Sequence, residues 1–397
     1  MTADFFLPQG FSFSSGTAGI KASGRPDLAL IETVPGTTAA AIFTKNRIVA
    51  APLTVARESL AKSKGKVRAV VVNSGNANCA TGKPGIAACR QVCAKAAQFL
   101  GVSSDEIFSS STGIIGMPLP FEKILARLPE VMDSCESTQA AAQKFAETIM
   151  TTDTRPKLAS VRVRVGKKEF SMLGIAKGAG MIHPQMATML VYLLTDIAAP
   201  AKKLQQLLRA ASDDTFNCLS VDGDTSTNDT ALLLASGQSG ITLQQAGKKF
   251  QAGLHQVCAS LAEQIVSDGE GVKHVIHLYI EQAQNRSEAL HVAKAISHSL
   301  LVKTAWAGAD PNWGRILSTI GSCGVPIDPN RIDIIIGSQT VFKKGAVRPF
   351  DERRAHAELS QPACDIRVRL LRGKAGIRFL TTDLTAEYVH INADYST

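Results

Sequence analysis

Apolar positions along the chain follow two periods, which predict an alternation of strands and helices. Short apolar or alternating runs bounded by turn residues are typical of strands. They occur at residues 28–33, 39–44, 67–72, 161–165, 169–175, 189–194, 230–234, 277–280, 331–336, 364–371, 375–380 and 388–392. Apolar residues at helical spacing predict helices at 52–65, 84–100, over two segments of 120–149, and at 200–212, 243–266 and 287–300. We therefore predict an α/β (α+β) fold, a layered sandwich of sheets and helices.

Length and composition divide this pattern into two domains. The chain has 397 residues, more than one hydrophobic core usually organises. Its composition shifts near residue 276, so we predict a catalytic α/β domain over 1–275 and a smaller α/β domain over 276–397. Hydrophobic residues make up 45% of the chain and aromatic residues 5%, which favours an enzyme packed with aliphatic side chains.

The net charge of +9 raises the question of a polyanionic partner. Lysine and arginine are spread in small groups, and none stands beside an aromatic stacking motif, so we expect no nucleic-acid partner. The amino terminus has no basic segment followed by an apolar one, and no apolar run is as long as a membrane helix. We therefore expect no membrane association and a cytoplasmic protein.

Three possible cofactor or metal motifs fail on inspection. The eight cysteines lack the spacing of a disulfide scaffold or a zinc site, and reduced thiols fit a cytoplasm. The segment around Lys83 is not a phosphate-binding loop, because Ala77 and Pro84 stand where glycine and a hydroxyl residue are needed. The segment 222–233 is not a calcium loop, since Thr227 replaces the required glycine. We expect no metal and no bound cofactor.

Residues 174–196 form the stretch around which the rest of the chain is organised. Three glycines and a proline predict a turn-rich loop, and the apolar run after them predicts a buried strand. Thr188 stands at the junction, where a strand would hold its hydroxyl beside a loop that leaves space for a substrate. The alternative is that a β-branched threonine simply begins a strand.

The segment KGAGMIHPQMATML around this threonine resembles the processing site of the ornithine acetyltransferase family, the bifunctional glutamate N-acetyltransferases of arginine biosynthesis. NSGNAN, MTTDT, SDGEG and DPNWGR resemble further parts of the same family, in the same order. The resemblance implies a fold of the amino-terminal-nucleophile-like aminopeptidase/ornithine acetyltransferase type. It also implies that the chain cuts itself between Ala187 and Thr188, and that Thr188 becomes the catalytic nucleophile.

A threonine at a new amino terminus carries its own base. A hydroxyl is a weak nucleophile until a base removes its proton. A free α-amine, with an ordinary pKa of about 7.7–8.0, is partly neutral near physiological pH and can take that proton. Thr188 therefore has the residue type that this chemistry requires.

Acyl transfer also needs hydrogen-bond donors for a tetrahedral oxyanion. The segment at 105–117 predicts a strand that leads into a small-residue loop. In the resembling family a Thr-Gly pair at this place forms the oxyanion hole, and the pair matches Thr112 and Gly113. The alternative is that this loop is a flexible turn.

The resemblance assigns substrate binding to Thr152, Lys177, Thr188, Glu270, Asn392 and Thr397. Thr151 and Thr154 are close enough to Thr152 that the register within MTTDT stays open. A lysine pairs naturally with the α-carboxylate of an amino acid, and a carboxylate such as Glu270 with an amino group of ornithine. The family's carboxyl-terminal tail closes the active site, so the same is expected of residues 392–397.

The implied reaction moves the acetyl group of N-acetylornithine to glutamate through an acetyl-Thr188 enzyme. Many members of the family also use acetyl-CoA as a co-substrate, and the sequence leaves its use here open. The implied assembly is an α2β2 heterotetramer of chains cut from one precursor. Two alternatives remain: an amino-terminal-nucleophile amidohydrolase or aminopeptidase, in which water accepts the acyl group, and an uncut metabolite- or RNA-binding protein.

Overall fold

The structure, a computed structural model, describes residues 5–183 and 189–394. The strands over these residues are β1 (Phe11–Gly16), β2 (Leu28–Thr33), β3 (Thr38–Phe43), β4 (Ala69–Asn76), β5 (Ile107–Ile114), β6 (Lys157–Val165), β7 (Lys168–Lys177), β8 (Leu190–Thr195), β9 (Thr230–Ala235), β10 (Val275–Ala283), β11 (Asp333–Ile336), β12 (Gln339–Lys343), β13 (Ala346–Val347), β14 (Ala363–Arg369) and β15 (Ala375–Thr382). The helices are α1 (Ala51–Lys62), α2 (Gly82–Leu100), α3 (Phe121–Asp133), α4 (Gln139–Thr148), α5 (Ala201–Asp214), α6 (Leu243–Ser267), α7 (Arg286–His298), α8 (Leu300–Ala307), α9 (Trp313–Ser322), α10 (Glu352–Leu359) and α11 (Ala386–Asp394).

Over the described residues these strands form three sheets. The amino-terminal sheet has the strand order β1-β2-β4-β5, and the central sheet has the order β3-β9-β8-β7-β6. The carboxyl-terminal sheet has the order β13-β12-β11-β14-β10-β15. The predicted hairpin around residues 166–168 joins β6 to β7 in antiparallel register, which confirms that prediction.

Alternation of side chains along the strands places the amino-terminal sheet face to face with the central sheet. Val70 and Val72 of β4 share one core with Tyr192 and Leu194 of β8. Val71 points to the opposite face of its sheet and packs against α2 and α3. One sheet therefore separates a sheet–sheet core from a sheet–helix core.

Helices α5 and α6 cover the other face of the central sheet. Leu193 of β8 packs there with Leu208 of α5 and Leu261 of α6. Strands β8 and β9 are buried along their whole length, which explains why their sequences are continuous apolar runs. The described layers follow the order helices, sheet, sheet, helices. The predicted α/β class and layered architecture are confirmed.

The carboxyl-terminal sheet consists of β10 and the strands that follow it in the chain. Ile280, Ile334 and Val368 lie in a core of their own, which helices α7 to α10 cover. The start of β10 coincides with the composition shift near residue 276, and we propose the domain boundary on this ground. Among the described helices, none combines the length and hydropathy that crossing a bilayer requires.

Residues 388–392 are not the predicted strand, since they belong to helix α11. The β-branched Val389 and Ile391 are typical of strands, which explains the wrong prediction. In the structure the Thr385 hydroxyl accepts the N–H of Tyr388 (3.3 Å), and this contact supports the start of a helix.

Two predicted loops begin later than expected. Strand β7 continues to Lys177, where it pairs with Leu190 of β8, although a loop was predicted from residue 174. Strand β5 continues through Thr112 to Ile114, because it pairs with β4 along that length. Pairing with a neighbouring strand outweighs the local preference of glycine and serine for turns.

Candidate active site

A cavity of about 210 Å³ lies where the ends of β5 and β7 meet helix α11. It brings together the predicted site residues Thr112, Gly113, Thr152, Lys177, Glu270 and Asn392. Gly180 and Met181, which precede the predicted cleavage site, also line it. The other predicted residues, Ala187, Thr188 and Thr397, lie outside the described residues.

Thr112 and Gly113 lie near the end of β5, side by side with the end of β4. Gly113 stands opposite Gly75 in the parallel register. Its φ of +133° is unfavourable for other residues, and a Cβ at this position would overlap the backbone of Gly75. Glycine is therefore required for the close approach of the two strands at this edge of the cavity.

Lys177 ends β7 and is buried, with 2% of its surface exposed. Its Nζ donates to the hydroxyls of Thr112 (3.1 Å) and Thr151 (2.8 Å). Burial lowers the pKa of the Lys177 ammonium below its ordinary value, and the carboxylate of Asp153 partly opposes that shift. The lysine thus connects two threonines that line the cavity, Thr112 on β5 and Thr151 before β6.

The threonines of MTTDT differ in their surroundings. Thr151 and Thr152 both line the cavity. Thr154 does not, because its hydroxyl donates to Asp268 and its backbone N–H donates to the same carboxylate (3.1 Å). The structure thus places two of the three threonines where a substrate could reach them.

A buried charge network stands behind Lys177. Lys157 Nζ donates to Asp153 Oδ1 and to Asp268 Oδ2, both at 2.6 Å. Asp153 Oδ1 also accepts the N–H of Gly178 (2.6 Å), which fixes the chain directly after Lys177. Burial alone would raise the pKa of Asp153, but the ammonium groups of Lys177 and Lys157 hold it below its usual value.

Glu270 and Asn392 line the same cavity and contact each other. Asn392 Nδ2 donates to Glu270 Oε2 (2.9 Å), which connects α11 to the turn after α6. The Glu270 N–H donates to the carbonyl of Ala179 (3.0 Å). A Cβ on Gly180 would overlap the Glu270 carboxylate, so glycine allows this carboxylate to reach the cavity.

Asp222 holds the chain just before residue 184. Its carboxylate accepts the N–H groups of Met181 (2.5 Å) and Ile182 (2.8 Å). Burial raises the pKa of Asp222 to about 6, although these backbone donors oppose the shift. No group of three or more His, Cys, Asp or Glu side chains among the described residues could hold a metal ion.

The profile of the ArgJ family matches residues 12–397 of the chain. The chain belongs to the ArgJ family. The arginine biosynthesis bifunctional protein ArgJ of Methylococcus capsulatus is 43% identical over 394 residues, covering 98% of this chain and 95% of the relative. The protein of the same name from Thermus thermophilus is 44% identical over 393 residues, covering 98% and 99%.

Two solved structures of ArgJ proteins also match. The Bacillus halodurans ArgJ structure is 40% identical and covers 51% of this chain and 98% of its own, with a TM-score of 0.49. The ornithine acetyltransferase of Mycobacterium tuberculosis, complexed with ornithine, is 33% identical and covers 46% and 94%, with a TM-score of 0.39.

Membership in the ArgJ family confirms the predicted family. It also confirms that the chain is an acyltransferase enzyme of arginine biosynthesis. The roles of single residues stay predictions. Sequence reasoning named no role for Asp153, Lys157 or Asp222 in this ArgJ chain, although Asp153 stands within MTTDT and Asp222 within the polar segment 222–233.

Proposed function

We propose that this ArgJ family member transfers the acetyl group of N-acetylornithine to glutamate through an acetyl ester on Thr188. One observation carries the proposal. A single small cavity is lined by the Thr112-Gly113 pair, by the buried Lys177 and by the carboxylate of Glu270. Groups of opposite charge thus line the same cavity as a candidate oxyanion hole, together with Gly180 and Met181, which precede the proposed cleavage site.

The cavity suits an amino-acid derivative. Its volume of about 210 Å³ is below the range of about 300–1,000 Å³ that is typical of drug-sized ligands. The Lys177 ammonium would pair with the α-carboxylate of the substrate, and the Glu270 carboxylate with an ammonium group. The hydroxyl of Thr151 or Thr152 would contact the substrate between these two charged groups. The Lys177 ammonium would also bind glutamate through its α-carboxylate, which leaves the α-amine of glutamate free to react.

The reaction proceeds in two half-reactions. The α-amine of Thr188 takes the proton of Oγ, while Oγ bonds to the acetyl carbon. The Thr112 hydroxyl and the Gly113 N–H stabilise the oxyanion. The C–N bond then breaks, the departing amine of ornithine takes the proton, and Thr188 carries the acetyl ester. The amine of glutamate attacks the acetyl carbon of this ester and loses a proton, the bond between that carbon and Oγ breaks, and Thr188 Oγ recovers a proton.

The proposed enzyme forms from one precursor. Cleavage between Ala187 and Thr188 releases the α-amine that serves as the base, and the two chains assemble as α2β2. The tail that follows Asn392 would close the cavity, with Thr397 against the substrate. Support for this closure comes from the contact between Asn392 and Glu270 on the cavity wall.

Acceptor dependence tests the proposed reaction. Purified protein is incubated with N-acetylornithine alone, with added glutamate, and with added glutamine, which lacks the side-chain carboxylate. We expect N-acetylglutamate and ornithine in equal amounts only with glutamate, and parallel lines in double-reciprocal plots, as ping-pong kinetics require. Ornithine and acetate released at the same rate without glutamate would contradict the proposal and identify an amidohydrolase. A separate incubation with acetyl-CoA and glutamate decides whether acetyl-CoA is also a donor.

A further inference from the structure

Asp229 is a buried carboxyl group for which the mechanism above has no use. It directly precedes β9, and β9 runs parallel to β8 with Thr230 opposite Leu190. Asp229 therefore stands beside Met189, the residue that precedes β8. Met189 is bonded directly to Thr188 in the chain. The carboxyl group thus lies beside the residue that directly follows the proposed nucleophile in the chain.

The two oxygens of this carboxyl group differ. Oδ1 accepts the N–H of Met189 (3.1 Å), and the Met189 carbonyl in turn accepts the N–H of Thr230 (3.0 Å). Oδ2 has no hydrogen-bond partner among the described residues, although the residue is fully buried. A buried polar oxygen without a partner is unfavourable for folding, so its presence calls for a role.

The surroundings of Asp229 favour its uncharged form. Burial raises its pKa well above the usual value, and the hydrogen bond from the Met189 N–H opposes that shift only in part. Among the described residues, the ammonium of Lys177, which ends the strand on the other side of β8, opposes this shift. That ammonium is too weak a partner to reverse the effect of burial.

We propose that Asp229 is a positioning residue for the acyl transfer and that it works as an uncharged carboxylic acid. This inference rests on the proposed function. Oδ1 holds the Met189 amide, and through it the residue that Met189 follows. An uncharged acid adds no negative charge near the reacting groups, whereas a carboxylate close to an amine favours the protonated form of that amine.

Two substitutions separate position from charge. Asp229→Asn keeps a carbonyl oxygen for the Met189 N–H, a donor in place of Oδ2, and no charge. Asp229→Ala removes the acceptor. We expect Asp229→Asn to be processed, with kcat and its pH profile close to those of wild type. We expect Asp229→Ala to lower kcat by about 10- to 100-fold with little change in KM for N-acetylornithine, because small displacements of reacting groups have effects of this size.

Asp333→Asn is the matched control, since Asp333 is also buried and accepts a backbone N–H, that of Lys344 (3.2 Å), but lies in the carboxyl-terminal sheet. The uncharged role is overturned if Asp229→Asn is processed but loses as much kcat as Asp229→Ala does. It is also overturned if the acid side of the pH profile of kcat shifts in Asp229→Asn. Wild-type kcat in Asp229→Ala overturns positioning. If Asp229→Ala does not fold, Asp229→Asn alone decides. Wild-type protein that transfers no acetyl group overturns the proposed function, and this inference with it.

Discussion

The cavity has two walls that differ in how firmly they are held. The strand wall consists of Thr112, Gly113 and Lys177 at the ends of β5 and β7, and Thr112 and Lys177 are only 4% and 2% exposed. The helix wall consists of Tyr388 and Asn392 on α11, a helix without a fully buried residue. Sheet pairing, buried ion pairs and close backbone contacts determine the first wall, and a few hydrogen bonds determine the second.

This difference suggests a division of labour. Groups that stabilise an oxyanion must be held in place before the reaction begins, and the strand wall provides such positions. A surface helix can adjust to a substrate or move away for its release. We therefore expect substitutions in the strand wall to lower kcat, and substitutions in the helix wall to raise KM.

The largest effect is expected from Gly113→Ala. The new Cβ would overlap Gly75 and would require an unfavourable φ, so the strand ends must separate. Loss of one oxyanion donor alone typically lowers kcat by about 100- to 1000-fold, and we expect at least this loss in steady-state assays. Gly116→Ala is the matched control, because Gly116 also has a positive φ but open space around it. Equal losses in both variants would contradict the steric explanation.

Lys177→Met is expected to lower kcat/KM by about 100- to 1000-fold. The substitution removes the charge and both hydrogen bonds, to Thr112 and Thr151, and buried charged contacts have effects of this size. Lys303→Met is the control, since Lys303 is also buried but donates to the carbonyls of Val221 and Thr382. It should lower thermal stability and spare kcat/KM. An active Lys177→Met enzyme would remove this lysine from the proposed site.

Asn392→Ala should have a smaller effect, confined to KM. Its hydrogen bond to Glu270 is exposed, and such a bond contributes about 0.5–1.5 kcal/mol. We expect KM for N-acetylornithine to rise by about 3- to 10-fold with kcat unchanged. Val389→Ala, an exposed position on the same helix that does not line the cavity, should change neither constant. A fall in kcat alone would show that α11 belongs with the strand wall.

Sequence reasoning found the residues of the strand wall through short motifs, but not what holds them. KGAG and the Thr-Gly pair identified Lys177 and Gly113, and the structure brings both to one cavity. Asp268 stands 111 positions from Lys157, and nothing local in the sequence signals that ion pair. The secondary structure predicted for the helix wall was wrong, because a short segment with two β-branched residues also fits a strand.

The last prediction concerns stability rather than activity, and it is a pH dependence. Nδ1 of His183 lies 2.9 Å from Nε2 of His298 on α7. Burial lowers the pKa of both imidazoles to about 4. Below about pH 6.5 the unfolded chain takes up protons that the folded state does not, so the free energy of unfolding should fall between about pH 6.5 and 4.

Thermal unfolding measured across this pH range in His298→Gln should show a flatter dependence than wild type. His291→Gln, a change at an exposed histidine of the same helix, should leave the slope as it is. An unchanged slope in His298→Gln would exclude the histidine pair as the cause.

The most direct test of Thr188 as a self-released nucleophile is the intact mass of the purified protein under denaturing conditions. We expect two chains, residues 1–187 and 188–397, the second of 397 − 187 = 210 residues. Thr188→Ala should give one uncut, inactive chain, and Thr188→Ser, which keeps a hydroxyl and an amine, should still be cut. A single uncut wild-type chain that transfers acetyl groups would contradict the mechanism, because no α-amine would then be free at Thr188.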